Sequence, residues 1–236
     1  AYKQGVDDAA AIQKAAQDAV NGTPDAGKAS LTSDAQKAAY DAIKPAAEAG
    51  QAEYSANPDK YAGKTGDDLK NAANQAAQAK YPNDSLKQAA FAQAIEAAGD
   101  AFGKGAGAFG NNEQQPAGIA AAGYQAAQQA YDKATNGEPK PDKVNGHYPT
   151  PEGVTPSDQY DNTFDAAYNK YKAAADKAAQ DTAANGGTAA TAANSNDYNA
   201  ATPKEKAAYD DAATKAAQGI ADAKLNDPTK DAQYGT

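Results

Sequence analysis

Bulky side chains recur every three or four residues along much of this chain, and that spacing constrains the fold more than any other feature. Between residues 157 and 185 they form one stripe, whose members are Tyr160, Phe164, Tyr168, Tyr171, Ala175 and Ala178. Such spacing places side chains on one face of an α-helix. No stretch alternates in the way that is typical of a sustained β-strand. The pattern therefore predicts an all-α protein.

Alanine has to supply most of the helix surfaces, because large apolar residues are scarce. The 236 residues include 65 Ala but only 17 Leu, Ile, Val and Phe together. So few large apolar residues, with a net charge of −9, are typical of disorder. Ala is however the strongest helix former, and the 14 Tyr fall at helical spacing. We therefore expect closely packed helices in which Tyr and Phe supply most of the bulk.

Two stretches of the chain carry the same signals in the same order, which predicts an internal duplication. Asn21-Gly-Thr-Pro24 aligns with Asn136-Gly-Glu-Pro139, and Ser33-Asp34 aligns with Ser157-Asp158. These two anchors do not depend on the abundance of Ala. Further aligned pairs in the same order are Tyr40 with Phe164, Tyr81 with Tyr198, and Phe91 with Tyr209.

The duplication predicts two tandem Ala-rich helical modules, residues 1–115 and residues 116–236, each with about four helices. Each module either closes into a small bundle, or the modules stack end to end. Glycines, N-cap residues and prolines set the helix boundaries, and Pro45 is expected to kink or split the second helix. The predicted helices span about residues 2–21, 34–56, 67–80, 85–109, 116–136, 157–185, 188–194 and 203–225.

The composition disfavours several classes of function. There is no Cys, so no disulfide and no thiol chemistry is expected, and no Arg, so all 22 basic residues are Lys. With a pI near 4.6, the chain lacks the basic face that nucleic acids and anionic membranes require. No apolar run approaches the length of a transmembrane helix. The missing initiator Met indicates a processed chain or an excised fragment.

Gly105-Ala-Gly-Ala-Phe-Gly110 matches the G-x-G-x-x-G pattern of dinucleotide-binding loops. Such a loop follows a strand and opens a helix, whereas a predicted helix precedes this one. We therefore expect no phosphate site. Gly99, Gly103 and Gly107 recur every four residues and predict an edge along which another helix approaches closely. The remaining glycines are expected to end the helix.

Isolated polar residues give no catalytic or metal site. His147 is the only His and has no visible partner, so a surface position is expected. The pairs Asp7-Asp8, Asp67-Asp68 and Asp210-Asp211 fall in early helical turns, where negative charge is favourable. Asn57-Pro-Asp59-Lys-Tyr61 begins like a calcium-binding loop but fails at its fifth and sixth positions. No catalytic, cofactor-binding or metal-binding residue is predicted, no cofactor is expected, and the chain is not expected to be an enzyme.

The connection of residues 137–156 is the longest in the chain, and the first module lacks its extra length. Either it carries recognition, together with Tyr148, or it is a plain extended connector. The Tyr residues are expected at the rim of the core, with rings buried and hydroxyls wet, and a minority exposed to a partner or glycan. Which residues bind a partner is unknown from the sequence.

The tandem Ala-rich modules, the Lys-only basic residues, the acidic pI and the many Asn, Gln, Thr and Asp together resemble one known class. They are similar to the alanine-rich helical repeat regions of cell-surface adhesins from lactic acid bacteria and related Gram-positive bacteria. The resemblance is one of composition and repeat style over the whole chain. It implies an extracellular, cell-wall-attached, non-catalytic module that acts in adhesion or aggregation, or as a stalk projecting a binding domain. The implied partners are a host or neighbouring-cell surface protein or glycan, and neighbouring repeats in the same chain.

Two other functions are compatible with the same residues. One is a hydrophilic, Ala-rich stress-protective helical protein, and the other is a carbohydrate-binding module. Circular dichroism separates the first of these from an adhesin module, because a protectant is expected to be mostly disordered in dilute buffer.

Overall fold

The computed structural model describes residues 2–23, 25–61, 64–193, 199–200 and 202–225. Within them the chain is all-α, as predicted, and its helices are α1 (Tyr2–Asn21), α2 (Ala26–Ala29), α3 (Asp34–Ala56), α4 (Pro58–Tyr61), α5 (Gly66–Lys80), α6 (Ser85–Gly110), α7 (Ile119–Thr135), α8 (Asp158–Ala184) and α9 (Pro203–Leu225). The extended pairing found in these ranges is an isolated bridge between Val144 and His147. None of the described helices combines the length and apolar character needed to cross a membrane.

The contacts between residues divide the chain into two compact units. Unit 1 comprises Ala1–Ala108, Gln114–Ala126 and Asp142–Thr163, and unit 2 comprises Phe109–Glu113, Ala127–Pro141 and Phe164–Thr236. These units differ from the predicted modules of residues 1–115 and 116–236, because part of the second predicted module packs within unit 1. The duplication, which is a relation between sequences, stays a prediction.

Local signals set most of the helix ends. The Ser33 hydroxyl accepts the Gln36 N–H at 3.1 Å while the Gln36 side chain accepts the Ser33 N–H at 3.2 Å, which is a capping box. Gly22 and Gly137, with φ of 65° and 71°, follow α1 and α7 in the left-handed conformation that commonly ends a helix. Helix α3 continues through Pro45, contrary to the prediction of a split. Buried Ile43, Ala46 and Ala47 flank that proline and hold the helix against its neighbours.

Residues 188–193, predicted as part of a short helix, are not helical, since Thr and Asn dilute the Ala there. At the start of α9, Thr202 is the N-cap and accepts the Glu205 N–H at 3.3 Å, while the Glu205 carboxylate pairs with Lys170 at 2.9 Å. Predictions that fall on Pro24, Tyr198 and residues 226–236 lie outside the described residues.

Tyrosine rings and Ala methyl groups form the core of unit 1. Tyr40 is fully buried with Ile43 of α3, against Ala11 and Ala15 of α1. A second cluster contains Tyr54, Tyr61, Leu69, Phe91 and Ile95 with several Ala. The expectation that Tyr and Phe supply the bulk is confirmed here. Tyr40 and Tyr61 are buried as whole residues, more deeply than the predicted core-rim position.

Glycine lets the helices of unit 1 approach backbone to backbone. A Cβ added at Gly105 would lie 1.8 Å from the Ala120 carbonyl oxygen, and one at Gly123 would lie 1.9 Å from the Phe102 carbonyl oxygen. Each side chain larger than hydrogen would therefore push α6 and α7 apart. The predicted edge was wrong for Gly103 and Gly107, where an added Cβ would meet nothing within 4 Å. The G-x-G-x-x-G stretch thus packs one helix on another through Gly105.

Unit 2 contains the later part of the predicted stripe on α8. Phe164, Tyr168, Tyr171 and Ala178 are buried as predicted, whereas Ala174 takes the buried position expected for Ala175. The rings of Tyr131 and Tyr171 meet edge to face with centroids 5.2 Å apart. This aromatic packing replaces the large aliphatic residues that the sequence lacks.

Candidate functional site: a cleft walled by the 142–157 segment

Residues 142–157, here called the 142–157 segment, belong to unit 1 and contain no helix. One turn, at Glu152-Gly153, is closed by the Val154 N–H, which donates to the Pro151 carbonyl at 3.1 Å. In the other, earlier turn the Val144 and His147 backbones exchange hydrogen bonds of 2.8 and 3.2 Å. Asn145 and Gly146 adopt φ of 54° and 91° inside that turn, a conformation that Asn and Gly tolerate best. The turn brings Lys143, His147 and Tyr148 to the same side.

One buried carboxylate holds this turn in place. Asp161, in the first turn of α8, is 2% exposed. Its oxygens accept the Tyr148 N–H at 3.0 Å and the Lys143 ammonium at 2.8 Å, and lie 3.3 Å from His147 Nδ1. Hydrogen bonds to an ionised acceptor are the strong ones, so a single side chain fixes three residues of the segment.

His147 has partners that its sequence neighbourhood does not show. Besides Asp161, its ring nitrogens lie 3.8 Å from carboxylate oxygens of Asp59 and Asp158. The expectation of a surface His without partners was therefore wrong. The missed signal is physical distance rather than motif, because Asp59 lies far from His147 in the sequence and no spacing rule joins them.

Asp59, His147 and Asp158 are also the described group whose chemistry most resembles a cation site. One ligand atom from each lies within 4.8 Å of the others, and carboxylate and imidazole are common metal ligands. The Asp59 carboxylate also accepts the Asp158 N–H at 2.7 Å, so it caps the start of α8. The same atoms form an ion-pair network when His147 is protonated. The expectation of no metal-binding residue stays a prediction.

Tyr148 does not face a partner as the recognition hypothesis required. Its side chain is buried, and the Lys143 ammonium lies 4.7 Å above its ring. Tyr148 therefore packs the segment against unit 1. Other residues of the segment line a cleft instead, namely Glu152, Gly153, Val154, Thr155 and the buried Ser157.

That cleft, here called the unit 1 cleft, has a volume of about 440 Å³. Helices α1, α3 and α7 contribute to it together with residues 152–159. Its polar lining is composed of amides and hydroxyls, from Gln51, Ser55, Gln125, Thr155, Ser157 and Gln159.

The polar groups of the cleft lie beside apolar ones. Val20, Phe102, Ile119 and Val154 supply most of the larger apolar surface. Among the described residues that line the cleft, Glu152 alone carries a charge. A largely neutral, mixed surface of this kind binds through hydrogen bonds and apolar contact.

Two amides in the cleft differ in how they are paired. The Tyr54 hydroxyl donates a hydrogen bond to Gln159 Oε1, and burial raises the pKa of Tyr54 to about 12, so the hydroxyl keeps its proton at neutral pH. The buried Oε1 of Gln125 has no hydrogen-bond partner among the described residues. A buried acceptor without a donor is costly, and this one belongs to a residue that lines the cleft.

Little in the sequence pointed to these lining residues. Gln and Ser are common in this chain, and no motif joins Gln51, Gln125 and Gln159. The one available signal was the length of the connection before α8, since long connections without secondary structure are often functional. Neither a family model, nor a curated protein, nor a solved structure matches the chain.

Proposed function

We propose that the chain is a non-catalytic module of a bacterial cell-surface protein that acts in adhesion or aggregation. The unit 1 cleft carries this proposal, because it is concave, largely neutral and lined by groups suited to binding rather than to bond cleavage. One wall of the cleft is formed by the 142–157 segment, which belongs to the long connection that the first predicted module lacks. Binding sites commonly arise in this way, on a connection held by a rigid scaffold.

Composition supports an extracellular, wall-attached location. The resemblance to the Ala-rich repeat regions of Gram-positive adhesins implies that location, together with neighbouring repeats in the same chain. A net charge of −9 keeps such a module soluble and unattractive to nucleic acid. The proposed partner is a surface protein or glycan of a host or neighbouring cell.

Binding of the purified chain to immobilised mucin and to whole bacterial cells tests the proposal. Ala122 lines the cleft on α7, so Ala122→Phe fills it, whereas Ala52→Phe places the same ring on the exposed face of α3. We expect the cleft variant to lose about tenfold or more of the binding that the control variant keeps. Wild-type chain that binds neither surface, or equal binding by both variants, would contradict an adhesive role for the cleft. A chain mostly disordered in dilute buffer would favour the stress-protective alternative instead.

A further inference from the structure

We propose that the unit 1 cleft binds an uncharged saccharide unit. This inference rests on the proposed adhesive function and names the ligand class of the same site. Its size is suitable, because small-molecule sites typically enclose roughly 300–1,000 Å³ and the cleft offers about 440 Å³. Room for one or two sugar rings is therefore present.

The first argument is the unpaired oxygen of Gln125. Its Oε1 is buried and accepts no hydrogen bond from any described residue. Gln125 is among the residues that line the cleft, so a ligand hydroxyl can donate to this oxygen once the amide turns toward the cleft, which removes the cost of leaving it unpaired. Sugar hydroxyls are both donors and acceptors, so the same ligand also suits the amides and hydroxyls of Gln51, Ser55 and Gln159.

The second argument is charge. No Lys is among the described residues that line the cleft, and Glu152 contributes a negative charge. An anionic ligand would lose its hydration without gaining a cation and would be repelled by Glu152. A neutral hydroxyl can instead donate to the Glu152 carboxylate, and hydrogen bonds of this charge-assisted kind are strong.

The third argument is the apolar part of the wall. Sugar rings present C–H faces as well as hydroxyl edges, and the cleft sets Phe102 and Ile119 beside its amides. Burial of C–H groups against these side chains adds binding energy without demanding further hydrogen bonds. A free peptide carboxylate or a phosphate has no such face.

Calorimetric titration tests the ligand class. The probes are glucose, galactose, mannose, N-acetylglucosamine and lactose, with glucuronate as the charged match for glucose. We expect at least one neutral sugar to bind saturably, and glucuronate to bind about tenfold or more weakly than glucose. Absence of saturable binding by every neutral sugar, or preference for glucuronate, would overturn the proposal.

Gln125→Leu supplies the decisive variant, and Gln128→Leu, on the exposed side of α7, is its matched control. Leu at position 125 removes an unpaired buried acceptor, so the thermal midpoint is expected to stay the same or rise while sugar affinity falls about tenfold or more. Gln128→Leu is expected to leave affinity unchanged. Unchanged affinity in Gln125→Leu would overturn the role of this residue and of the cleft.

The two proposals fail in different ways. If the chain adheres to cells or mucin while no neutral sugar binds, the saccharide inference is wrong and the adhesive function stands with a protein partner. If a neutral sugar binds but the chain adheres to neither surface, the ligand class stands and the adhesive function is wrong.

Discussion

Two connecting segments of unit 1, residues 22–33 and the 142–157 segment, are each held by one buried carboxylate. The carboxylate comes from the helix before the first segment and from the helix after the second. Asp18, on the helix that precedes residues 22–33, accepts the Gly27 N–H with both oxygens at 2.9 and 2.7 Å, and the Tyr40 hydroxyl at 2.6 Å. Asp161, on the helix that follows the 142–157 segment, accepts from Lys143 and from the Tyr148 amide. The first carboxylate is paired by neutral donors and the second by donors that include a cation.

The two segments also differ in whether they line a cleft. Asp18 reaches forward and holds the short helix α2 close to its own helix, which leaves a compact connection. Asp161 reaches back to the Lys143–Tyr148 turn, and the residues between that turn and α8 line the unit 1 cleft. A helical scaffold can therefore gain a binding surface through one long connection and one buried carboxylate, with its helices unchanged.

The largest expected effect comes from removing the first anchor. Asp18→Ala leaves the fully buried Tyr40 hydroxyl and the Gly27 N–H without an acceptor, so we expect the free energy of unfolding to fall by about 3 kcal/mol. Urea unfolding followed by circular dichroism measures this. Asp41→Ala is the control, because Asp41 is largely exposed and pairs with Lys28 at the surface. An equal loss in both variants would contradict the anchor role of Asp18.

Removing the second anchor is expected to cost less. Asp161→Ala leaves the Tyr148 N–H unpaired, but Lys143 is partly exposed and returns to water. We therefore expect a loss of about 2 kcal/mol in the free energy of unfolding, measured in the same way. A loss larger than that of Asp18→Ala would reverse the comparison and indicate that Lys143 is an essential partner.

The effect of replacing Gly27 by Ala measures how tightly residues 22–33 are packed against Asp18. A Cβ at Gly27 would lie 2.9 Å from both an Asp18 oxygen and the Lys14 Cβ, so Gly27→Ala is expected to cost about 1–2 kcal/mol. Gly5 on α1 has nothing within 4 Å, and Gly5→Ala is expected to stabilise by about 0.5–1 kcal/mol through helix propensity. Thermal midpoints of the two variants should shift in opposite directions, and a stabilising Gly27→Ala would show that the anchor has room.

The smallest expected loss of stability at neutral pH concerns the Tyr40 hydroxyl, whose aligned position holds Phe164. Burial, and then the hydrogen bond to Asp18, raise the pKa of Tyr40 above its usual value of 10.0. A raised pKa favours the neutral phenol in the folded state, so its contribution is complete below pH 10 and is lost as pH rises through the folded value. For Tyr40 this loss begins near pH 10, and Tyr54, whose pKa is raised by burial to about 12, adds a separate loss over about pH 10 to 12.

Tyr40→Phe is therefore expected to lose about 1 kcal/mol at pH 7 and to show a smaller further loss between pH 10 and 12 than the wild type. Circular dichroism gives the stability, and ultraviolet absorbance gives the ionisation of Tyr, since the chain has no Trp. Identical alkaline profiles for the two proteins would mean that Tyr40 does not contribute to the pH dependence.

The sequence predicted helices far better than it predicted the anchors. Residues 203–225 and 2–21 were predicted as helices and match α9 and α1, because caps, prolines and apolar spacing act locally. In the predicted alignment, Asp18 corresponds to Lys133 and Asp161 to Lys37, so the duplication itself gave no hint of either anchor. Both carboxylates act on residues whose proximity depends on the finished fold.

The glycines of α6 also show that local sequence patterns do not predict which residues meet in the folded protein. Their four-residue spacing on α6 was right for Gly99, where an added Cβ would lie 2.7 Å from Leu69 Cδ2. It was wrong for Gly103 and Gly107, and it missed Gly105, where the closest approach occurs. Which side of a helix meets a neighbour depends on how that helix is rotated about its axis. Spacing fixes which residues share a face and leaves the choice of face to tertiary packing.

Hydrogen exchange at the Tyr148 amide tests most directly whether Asp161 fixes the wall of the cleft. In the wild type this amide should be protected, and in Asp161→Ala it should exchange about tenfold or more faster, because its acceptor is gone. The Gly27 amide, held by Asp18, should exchange equally in both proteins and serves as the internal control. Equal exchange of the Tyr148 amide in the wild type and in Asp161→Ala would show that Asp161 does not fix the 142–157 segment.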